Sequence, residues 1–308
     1  MRPLTVVMYH YVRPIEGSIW SKIKGLELEG FKRQLDYLSS NYDFVTAEDV
    51  INSSKYERPL SNKACWLTFD DGYKDHYRYV LPELSKRGIQ GSFFPPVRPI
   101  TERTILDVNS IHHILASASN MVELVEDLNL EIRAAGFGRD EIQKLWCEYA
   151  VANRYDSKEV VYVKRLLQHA LPENIRNLIT SILFRKYVGL SQMEFGDELY
   201  MSVAEVKELV QAGMYVGSHG YKHLWLNKES KASQKSEIDR SLTFLAAVGA
   251  RTVDWIMCYP YGAYNEETID LLKDSKCAIG ITTEVALADL SVHYPLKLLR
   301  LDTNDFPQ

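Results

Sequence analysis

The segment Ala64-Cys65-Trp66-Leu67-Thr68-Phe69-Asp70-Asp71-Gly72 carries the clearest fold signal in this 308-residue chain. Its apolar run is typical of a buried β-strand and stops at two adjacent carboxylates. Gly72 allows the backbone to turn sharply behind them. Because the carboxyl ends of parallel strands form the active face of α/β folds, the segment predicts a strand with Asp70 and Asp71 at its functional end. An ordinary acidic turn is the alternative that Asp-Asp-Gly alone leaves open.

Short apolar runs alternate with helical patterns on both sides of this segment. Further strands are predicted at residues 4–8, 91–94, 214–218, 255–259 and 278–282. Between residues 101 and 200, apolar side chains recur three, four or seven positions apart, which predicts an almost wholly helical stretch. Neither β-rich half has enough strands to close a barrel by itself. We therefore predict one α/β domain, a (β/α) barrel built from residues 1–100 and 201–308, with a helical insertion at residues 101–200.

The composition is that of an ordinary globular protein, with 46% hydrophobic and 25% charged residues. A net charge of -5 argues against a nucleic-acid partner, since such proteins usually carry a basic surplus. No signal peptide and no transmembrane segment is evident in the sequence, which predicts a location in the cytoplasm or at the inner face of the membrane. The four cysteines form no C-x-x-C pair, so neither a disulfide framework nor a cysteine zinc site is indicated.

A second group of polar residues is the segment Ser218-His219-Gly220-Tyr221-Lys222-His223. Histidines four positions apart can point the same way from a helical turn and offer two imidazoles to one metal ion. With Asp71, they make a set of two nitrogens and one carboxylate, which leaves positions open for water and substrate. Isolated surface histidines are the alternative.

A third motif, Tyr259-Pro260-Tyr261-Gly262, follows a predicted strand. The proline and the glycine around Tyr261 predict an irregular turn in which a backbone N–H can face a cavity. Taken alone, the motif is an unremarkable turn.

Together and in this order, the three motifs resemble those of the polysaccharide deacetylases of carbohydrate esterase family 4, the NodB-homology domain. The resemblance implies a distorted (β/α) barrel in which Asp71, His219 and His223 hold a divalent metal, expected to be zinc. It also implies that Asp70 is the catalytic base and that the backbone N–H of Tyr261 helps to hold the oxyanion. The helical insertion lies outside the resemblance.

The sequence departs from that family at two places. Cys258 stands where the family commonly has an arginine that orients the base, and the tail lacks the family's leucine-x-histidine that supplies the acid. We expect Arg300, which follows the last apolar run, to supply the missing positive charge near Asp70. His10, at the end of the first predicted strand, is the candidate acid, because imidazoles in water titrate at about pH 6.5. A structural hydrogen bond is the alternative role for His10.

These residues predict a metal-dependent hydrolase that removes an N-acetyl group from a sugar in a polysaccharide or glycan precursor. Two alternatives stay open: hydrolysis of another non-peptide C–N bond, in a formamide or imide, and a non-catalytic glycan-binding protein on the same fold. The expected partner is an N-acetylated sugar or glycan, and the insertion could cap the active face or mediate oligomerisation. Aromatic side chains near the motifs could stack on a sugar ring or pack inside the barrel: Tyr73, Tyr221, Trp225 and Tyr264.

Overall fold

A computed structural model describes residues 3–153 and 156–308, so that Met1, Arg2, Arg154 and Tyr155 of the predicted domains lie outside the described residues. The chain divides into two compact units. The first, here called the barrel unit, comprises Met1–Pro14, Gly25–Arg103 and Asp197–Gln308. The second, the helical unit, comprises Ile15–Lys24 and Thr104–Gly196. The assignment of two functional domains, residues 1–100 with 201–308 and residues 101–200, stays a prediction.

The barrel unit is built on a curled sheet. The strands of the unit are β1 (Pro3–Tyr9), β2 (Val12–Arg13), β3 (Leu26–Glu27), β4 (Asp43–Phe44), β5 (Ala64–Asp70), β6 (Gly91–Phe94), β7 (Tyr215–Val216), β8 (Trp255–Cys258), β9 (Cys277–Val285), β10 (Ala288–Asp289) and β11 (Leu298–Asp302). β2 and β3 form a separate short pair, and the other strands form the curled sheet. The main path runs β7-β6-β5-β1-β11-β9-β8, and every pairing along it is parallel. β4 extends the sheet beside β5, and β10 pairs antiparallel with β1.

The two edges of this sheet meet just beyond β7. Ser218 forms a parallel bridge with Met257 of β8. The N–H of Ser218 donates to the carbonyl of Ile256 at 3.0 Å, and the N–H of Cys258 donates to the carbonyl of Ser218 at 2.8 Å. We call this contact the seam. The predicted distorted (β/α) barrel is confirmed, and its distortion lies here, where a two-residue strand and one bridge replace a full strand pair.

Helices surround the sheet and build the second unit. The α-helices of the described residues are α1 (Leu28–Asn41), α2 (Ala47–Tyr56), α3 (Leu81–Arg87), α4 (Val97–Glu102), α5 (Asp107–Ser117), α6 (Met121–Ala134), α7 (Arg139–Tyr149), α8 (Lys158–Arg165), α9 (Glu173–Val188), α10 (Gln192–Leu199), α11 (Val203–Gln211), α12 (Lys231–Ala247) and α13 (Glu266–Asp274). Single π-helical turns lie at His76–Val80 and Leu166–Ala170. None of the helices in residues 3–153 and 156–308 is both long and apolar enough to cross a bilayer.

Burial explains why these segments fold as they do. Every residue of β5 is buried, as expected for a strand covered on both faces in a parallel sheet. On α1, Phe31, Leu35 and Leu38 recur at helical spacing and form an apolar stripe that is fully buried. The helical unit has its own apolar core, which includes Leu128, Leu166 and other buried side chains of α5, α6, α8 and α9.

Candidate active site

Three side chains converge at the carboxyl edge of the barrel sheet. Asp71 Oδ1 lies 3.4 Å from Nε2 of His219 and 3.4 Å from Nε2 of His223, and the two nitrogens are 3.2 Å apart. All three residues are buried. The structure therefore brings together the three residues that the sequence analysis singled out as metal ligands, although residue 71 is far from residues 219 and 223 along the chain.

The backbone after β5 aims Asp71 at the histidines. Asp71 has a φ of 71°, in the left-handed region that side chains rarely adopt, and Gly72 follows with a φ of 67°. A Cβ at Gly72 would lie 2.7 Å from Cβ of Pro95, so the close approach requires glycine. Tyr73 Oη donates a hydrogen bond of 2.6 Å to Asp71 Oδ2, which leaves Oδ1 directed at the imidazoles.

The two histidines lie on a loop and not on a helical turn, so helical spacing does not bring them together. Residues 217–223 form an irregular loop in which Gly220 has a φ of 73° and His223 a φ of 62°. His219 comes directly after the seam, so the closure of the barrel fixes its position. The imidazoles converge through the geometry of this loop, in which Gly220 and His223 both have left-handed backbone.

Hydrogen bonding fixes which nitrogen of His219 faces Asp71. Its Nδ1 lies 2.8 Å from the carbonyl oxygen of Cys258, which can only accept. Nδ1 therefore carries a proton, and Nε2 is the nitrogen that faces Asp71. Although burial disfavours a charge, Cys258 and Asp71 raise the pKa of His219 well above its ordinary value, so a cation that binds Nε2 displaces a proton. Burial and the neighbouring His219 lower the pKa of His223 to about 3, so His223 is neutral at physiological pH. Both nitrogens that face Asp71 are thus suited to bind a cation.

Asp70, the last residue of β5, forms a buried ion pair with Arg300 of β11. Arg300 Nη1 lies 2.9 Å from Asp70 Oδ1, and Nη2 lies 2.7 Å from Oδ2. Both residues are 1% exposed. Burial alone would raise the pKa of Asp70, but the Arg300 guanidinium, with smaller contributions from His219 and His10, lowers it to about 2. Asp70 is therefore a carboxylate at neutral pH.

Cys258 contacts this ion pair from β8. Arg300 Nη2 lies 3.4 Å from Cys258 Sγ, and Arg300 Nε donates to the carbonyl of Thr282 at 2.7 Å. Asp70, His219 and Cys258 form a second group whose ligand atoms lie within 4.8 Å of one another. This group is a poorer cation site, because Asp70 is already paired with Arg300 and burial raises the pKa of the Cys258 thiol.

His10 lies at the exposed side of the same carboxylate. Its Nε2 is 3.9 Å from Asp70 Oδ2, and 41% of the side chain is exposed. The backbone carbonyl of His10 accepts a 2.9 Å hydrogen bond from Nε2 of the buried His76. Burial lowers the pKa of His76 to about 4, so that imidazole is neutral at physiological pH. Sequence analysis missed both His76 and the role of Tyr73 as a donor to Asp71, because neither stands in a recognisable motif.

Tyr261 lies on the other side of the histidines. Its backbone is left-handed, with a φ of 58°, inside the short turn Pro260–Gly262. The ring packs edge-on against His223 at 4.6 Å and stacks on Trp225 at 4.4 Å with an interplanar angle of 8°. Trp225 and Tyr261 are both partly exposed. Tyr73 is fully buried and Tyr221 is 6% exposed, so both rings pack inside the barrel unit. Tyr73, which also donates to Asp71, presents no surface to a sugar.

Comparisons with known proteins found a matching family and a curated relative. Residues 57–127 and 184–279 match the family model described as polysaccharide deacetylase. The matched ranges include Asp70, Asp71, His219 and His223, whereas His10 and Arg300 lie outside them. The YxkH protein of Bacillus subtilis (strain 168) is 33% identical over 94 residues, which is 30% of this chain and 33% of that protein. The match thus spans about a third of the length of this curated relative.

Solved structures share the fold across nearly the whole chain. The deacetylase PplD of Streptococcus pyogenes, in complex with acetate, is similar with a TM-score of 0.60 and 18% identity, covering 97% of this chain and 92% of that one. IcaB from Ammonifex degensii is similar with a TM-score of 0.53 and 19% identity, covering 98% and 91%. At these identities the likeness supports the architecture of the chain.

Proposed function

The chain belongs to the polysaccharide deacetylase family, and from that premise we propose that it is a metal-dependent hydrolase that removes the N-acetyl group from a sugar in a polysaccharide or glycan precursor. The observation that carries the proposal is the convergence of Asp71 Oδ1 with Nε2 of His219 and His223. Buried acid and imidazole groups at the carboxyl end of barrel strands are typical of catalytic sites.

The three ligand atoms fit a divalent ion of zinc size. In tetrahedral zinc sites, bonds of about 2.0–2.1 Å place neighbouring ligand atoms roughly 3.3 Å apart. The separations here are 3.2, 3.4 and 3.4 Å. His223 Nδ1 has no hydrogen-bond partner among the described residues, whereas His219 Nδ1 is held by a carbonyl. A set of two imidazoles and one carboxylate is typical of catalytic zinc and leaves room for water.

In this proposal, a bound metal would supply Lewis acidity, which favours deprotonation of water near neutral pH and polarises the acetamide carbonyl. Asp70 takes the proton of the attacking water, and Arg300 keeps Asp70 ionised and oriented. His10 protonates the departing amine, since an unprotonated amide nitrogen is a poor leaving group. The backbone N–H of Tyr261 stabilises the negative charge that develops on the carbonyl oxygen, an interaction typically worth about 3 kcal/mol.

An N-acetylated sugar suits the surroundings of the site. The stacked rings of Trp225 and Tyr261 are partly exposed beside His223 and offer an apolar face for a sugar ring. We propose a glycan precursor as the substrate. The cytoplasmic location predicted from the sequence stays a prediction, which fractionation of the native host's cells would test. Oligomerisation through the insertion also stays a prediction.

Acetate release tests the proposed reaction. Purified protein, stripped of metal and reloaded with Zn²⁺, is assayed against N-acetylated oligosaccharides, nucleotide sugars and glycolipids, with formamides and cyclic imides in parallel. We expect acetate from at least one acetylated sugar, loss of turnover with chelator, and recovery with Zn²⁺. Turnover of formamides or imides alone would favour the other C–N hydrolase. Glycan binding without turnover, together with the absence of stoichiometric metal, would favour a binding protein.

A further inference from the structure

The loop that carries both histidines has little regular structure of its own. Residues 217–223 lie outside any helix, and Gly220 and His223 are left-handed. A non-glycine residue in that region costs about 1–2 kcal/mol, so neighbouring groups must hold the conformation. In this structure, those groups lie on α12 and at the start of α4, where the N–H groups of Val97 and Arg98 donate to the carbonyls of Gly220 and Tyr221 at 3.3 and 2.8 Å.

Helix α12 contacts the loop through Glu237. Two consecutive backbone N–H groups of the loop donate to one atom, Glu237 Oε2. They are those of Tyr221, at 2.9 Å, and Lys222, at 2.8 Å. Glu237 is 3% exposed. The two N–H groups lie between the proposed ligands His219 and His223. The side chain of Glu237 therefore fixes the backbone that connects them.

Two more residues on the same face of α12 contact this loop. Ser241 Oγ, one turn beyond Glu237, lies 2.6 Å from Ser218 Oγ, and Ser218 Oγ accepts the N–H of Gly220 at 3.1 Å. The Arg240 guanidinium lies 3.3 Å from the centre of the Tyr221 ring. Helix α12 thus contacts the loop at its start and at its middle, and, of the residues that the structure describes, it alone accepts the N–H groups of Tyr221 and Lys222.

We infer that Glu237 is a positioning residue, which holds the loop so that the imidazoles of His219 and His223 converge on one metal ion. The inference rests on the proposed function. Residues that orient metal ligands typically change metal affinity 10- to 100-fold when they are lost. Because a single oxygen accepts both N–H groups, a neutral acceptor of the same shape serves as well as a carboxylate.

Three variants separate this role from general stability. Glu237→Leu removes the acceptor, whereas Glu237→Gln keeps one. Gln234→Leu, one turn earlier on α12, is the matched control: Gln234 is buried, but its amide contacts Glu229, Asn265 and Thr268 instead of the loop. Zn²⁺ dissociation constants are measured by competition with a chromophoric chelator, and the Co²⁺-loaded proteins are compared by visible absorption. Ser241→Ala provides a second test should Glu237→Leu not fold.

We expect about 10- to 100-fold weaker Zn²⁺ binding and an altered Co²⁺ spectrum for Glu237→Leu, near-native values for Glu237→Gln, and native affinity for Gln234→Leu. Ser241→Ala should weaken Zn²⁺ binding several-fold. Native affinity in Glu237→Leu, or in Ser241→Ala if the leucine variant is unfolded, would overturn this inference and leave the proposed function intact. A wild-type protein that binds no Zn²⁺ would overturn the proposed function as well.

Discussion

Cys258 stands where the family commonly has an arginine, and Arg300 supplies a positive charge beside it. The Arg300 guanidinium forms an ion pair with Asp70 from β11, in which Nη1 donates a hydrogen bond to Oδ1, and Nη2 also contacts Cys258 Sγ. The positive charge near Asp70, the proposed base, therefore comes from a different strand. Sequence analysis singled out Arg300 only from its place after an apolar run, because the pairing of β11 with β9 and β1 brings it to Asp70.

Replacing Arg300 with methionine should move the acid limb of the pH profile upward. Arg300 lowers the pKa of Asp70 to about 2, and burial raises it once the guanidinium is gone. Since the base must be ionised, activity in Arg300→Met should be lost at a higher pH than in the wild type, by about one to three pH units. The measurement is kcat/KM for acetate release across pH 4–9, with Arg300→Lys as the charge-retaining control.

The same variant leaves a buried carboxylate unpaired, which typically costs about 3–5 kcal/mol. Asp70→Asn combined with Arg300→Met removes both charges and should recover stability without recovering activity. Urea unfolding of the single and double variants measures this difference. An unchanged acid limb in a folded Arg300→Met protein would show that Arg300 has no part in setting the ionisation of Asp70.

The loss of activity on replacing His10 should increase with the basicity of the leaving group. As the proposed general acid, His10 would protonate a departing amine, and such catalysis typically contributes about 10²- to 10⁴-fold. His10→Gln should therefore lose at least about 100-fold on an acetamide and much less on an aryl acetate, whose leaving group needs no proton. Zn²⁺ affinity, measured in parallel, should stay native. Equal losses on both substrates would assign the His10 side chain a structural role, because general-acid catalysis is needed only for the amine.

The strands that carry the site follow directly from the apolar runs, whereas their closure into a barrel does not. β1, β5, β6, β8 and β9 lie where the sequence predicts strands, because continuous apolar runs are buried on both faces. Of the strand predicted at 214–218, only Tyr215–Val216 is a strand in the structure, and Ser218 instead forms the seam with β8. Long-range pairing leaves no local pattern in the sequence, so neither the strand order nor the loop shape of the histidine motif was predictable.

Gly217 makes the seam possible. A Cβ there would lie 2.6 Å from Phe94 Cε1 and 2.8 Å from the carbonyl oxygen of Ile256. Gly217→Ala should therefore push β7 away from β8 and destabilise the protein by about 1–3 kcal/mol, as overpacking usually does. Because His219 follows the seam, the variant should also bind Zn²⁺ more weakly. Urea unfolding and a chelator competition measure the two effects.

Gly249→Ala is the matched control for that substitution. Gly249 has a φ of 80°, and a Cβ there would meet no atom of the described residues within 4 Å. Alanine at this position therefore costs backbone strain of about 1–2 kcal/mol without touching the seam. The control should lose comparable stability and keep native Zn²⁺ affinity. If both variants lost affinity equally, general destabilisation would explain the result and the seam would have no special role.

The proposed metal would join parts of the chain that are distant in sequence. Asp71 follows β5 and the histidines follow the seam, and all of Thr104–Gly196 lies between them along the chain. The sequence motifs identified the three residues by their chemistry, but only the folded barrel unit brings Asp71 Oδ1 within 3.4 Å of both imidazoles. A cation that binds this arrangement binds the native state alone, and it therefore stabilises the fold by mass action.

Removal of the metal should consequently lower the thermal stability of the whole protein. At a free Zn²⁺ concentration of about 100 times the dissociation constant, binding to the native state adds about 2.7 kcal/mol to the free energy of unfolding. Differential scanning calorimetry should show a melting temperature several degrees lower after chelation, with recovery on reloading. His223→Gln removes one ligand nitrogen, so its melting temperature should respond much less to Zn²⁺. An equal response in the wild type and in His223→Gln would place the stabilising ion elsewhere than at Asp71, His219 and His223.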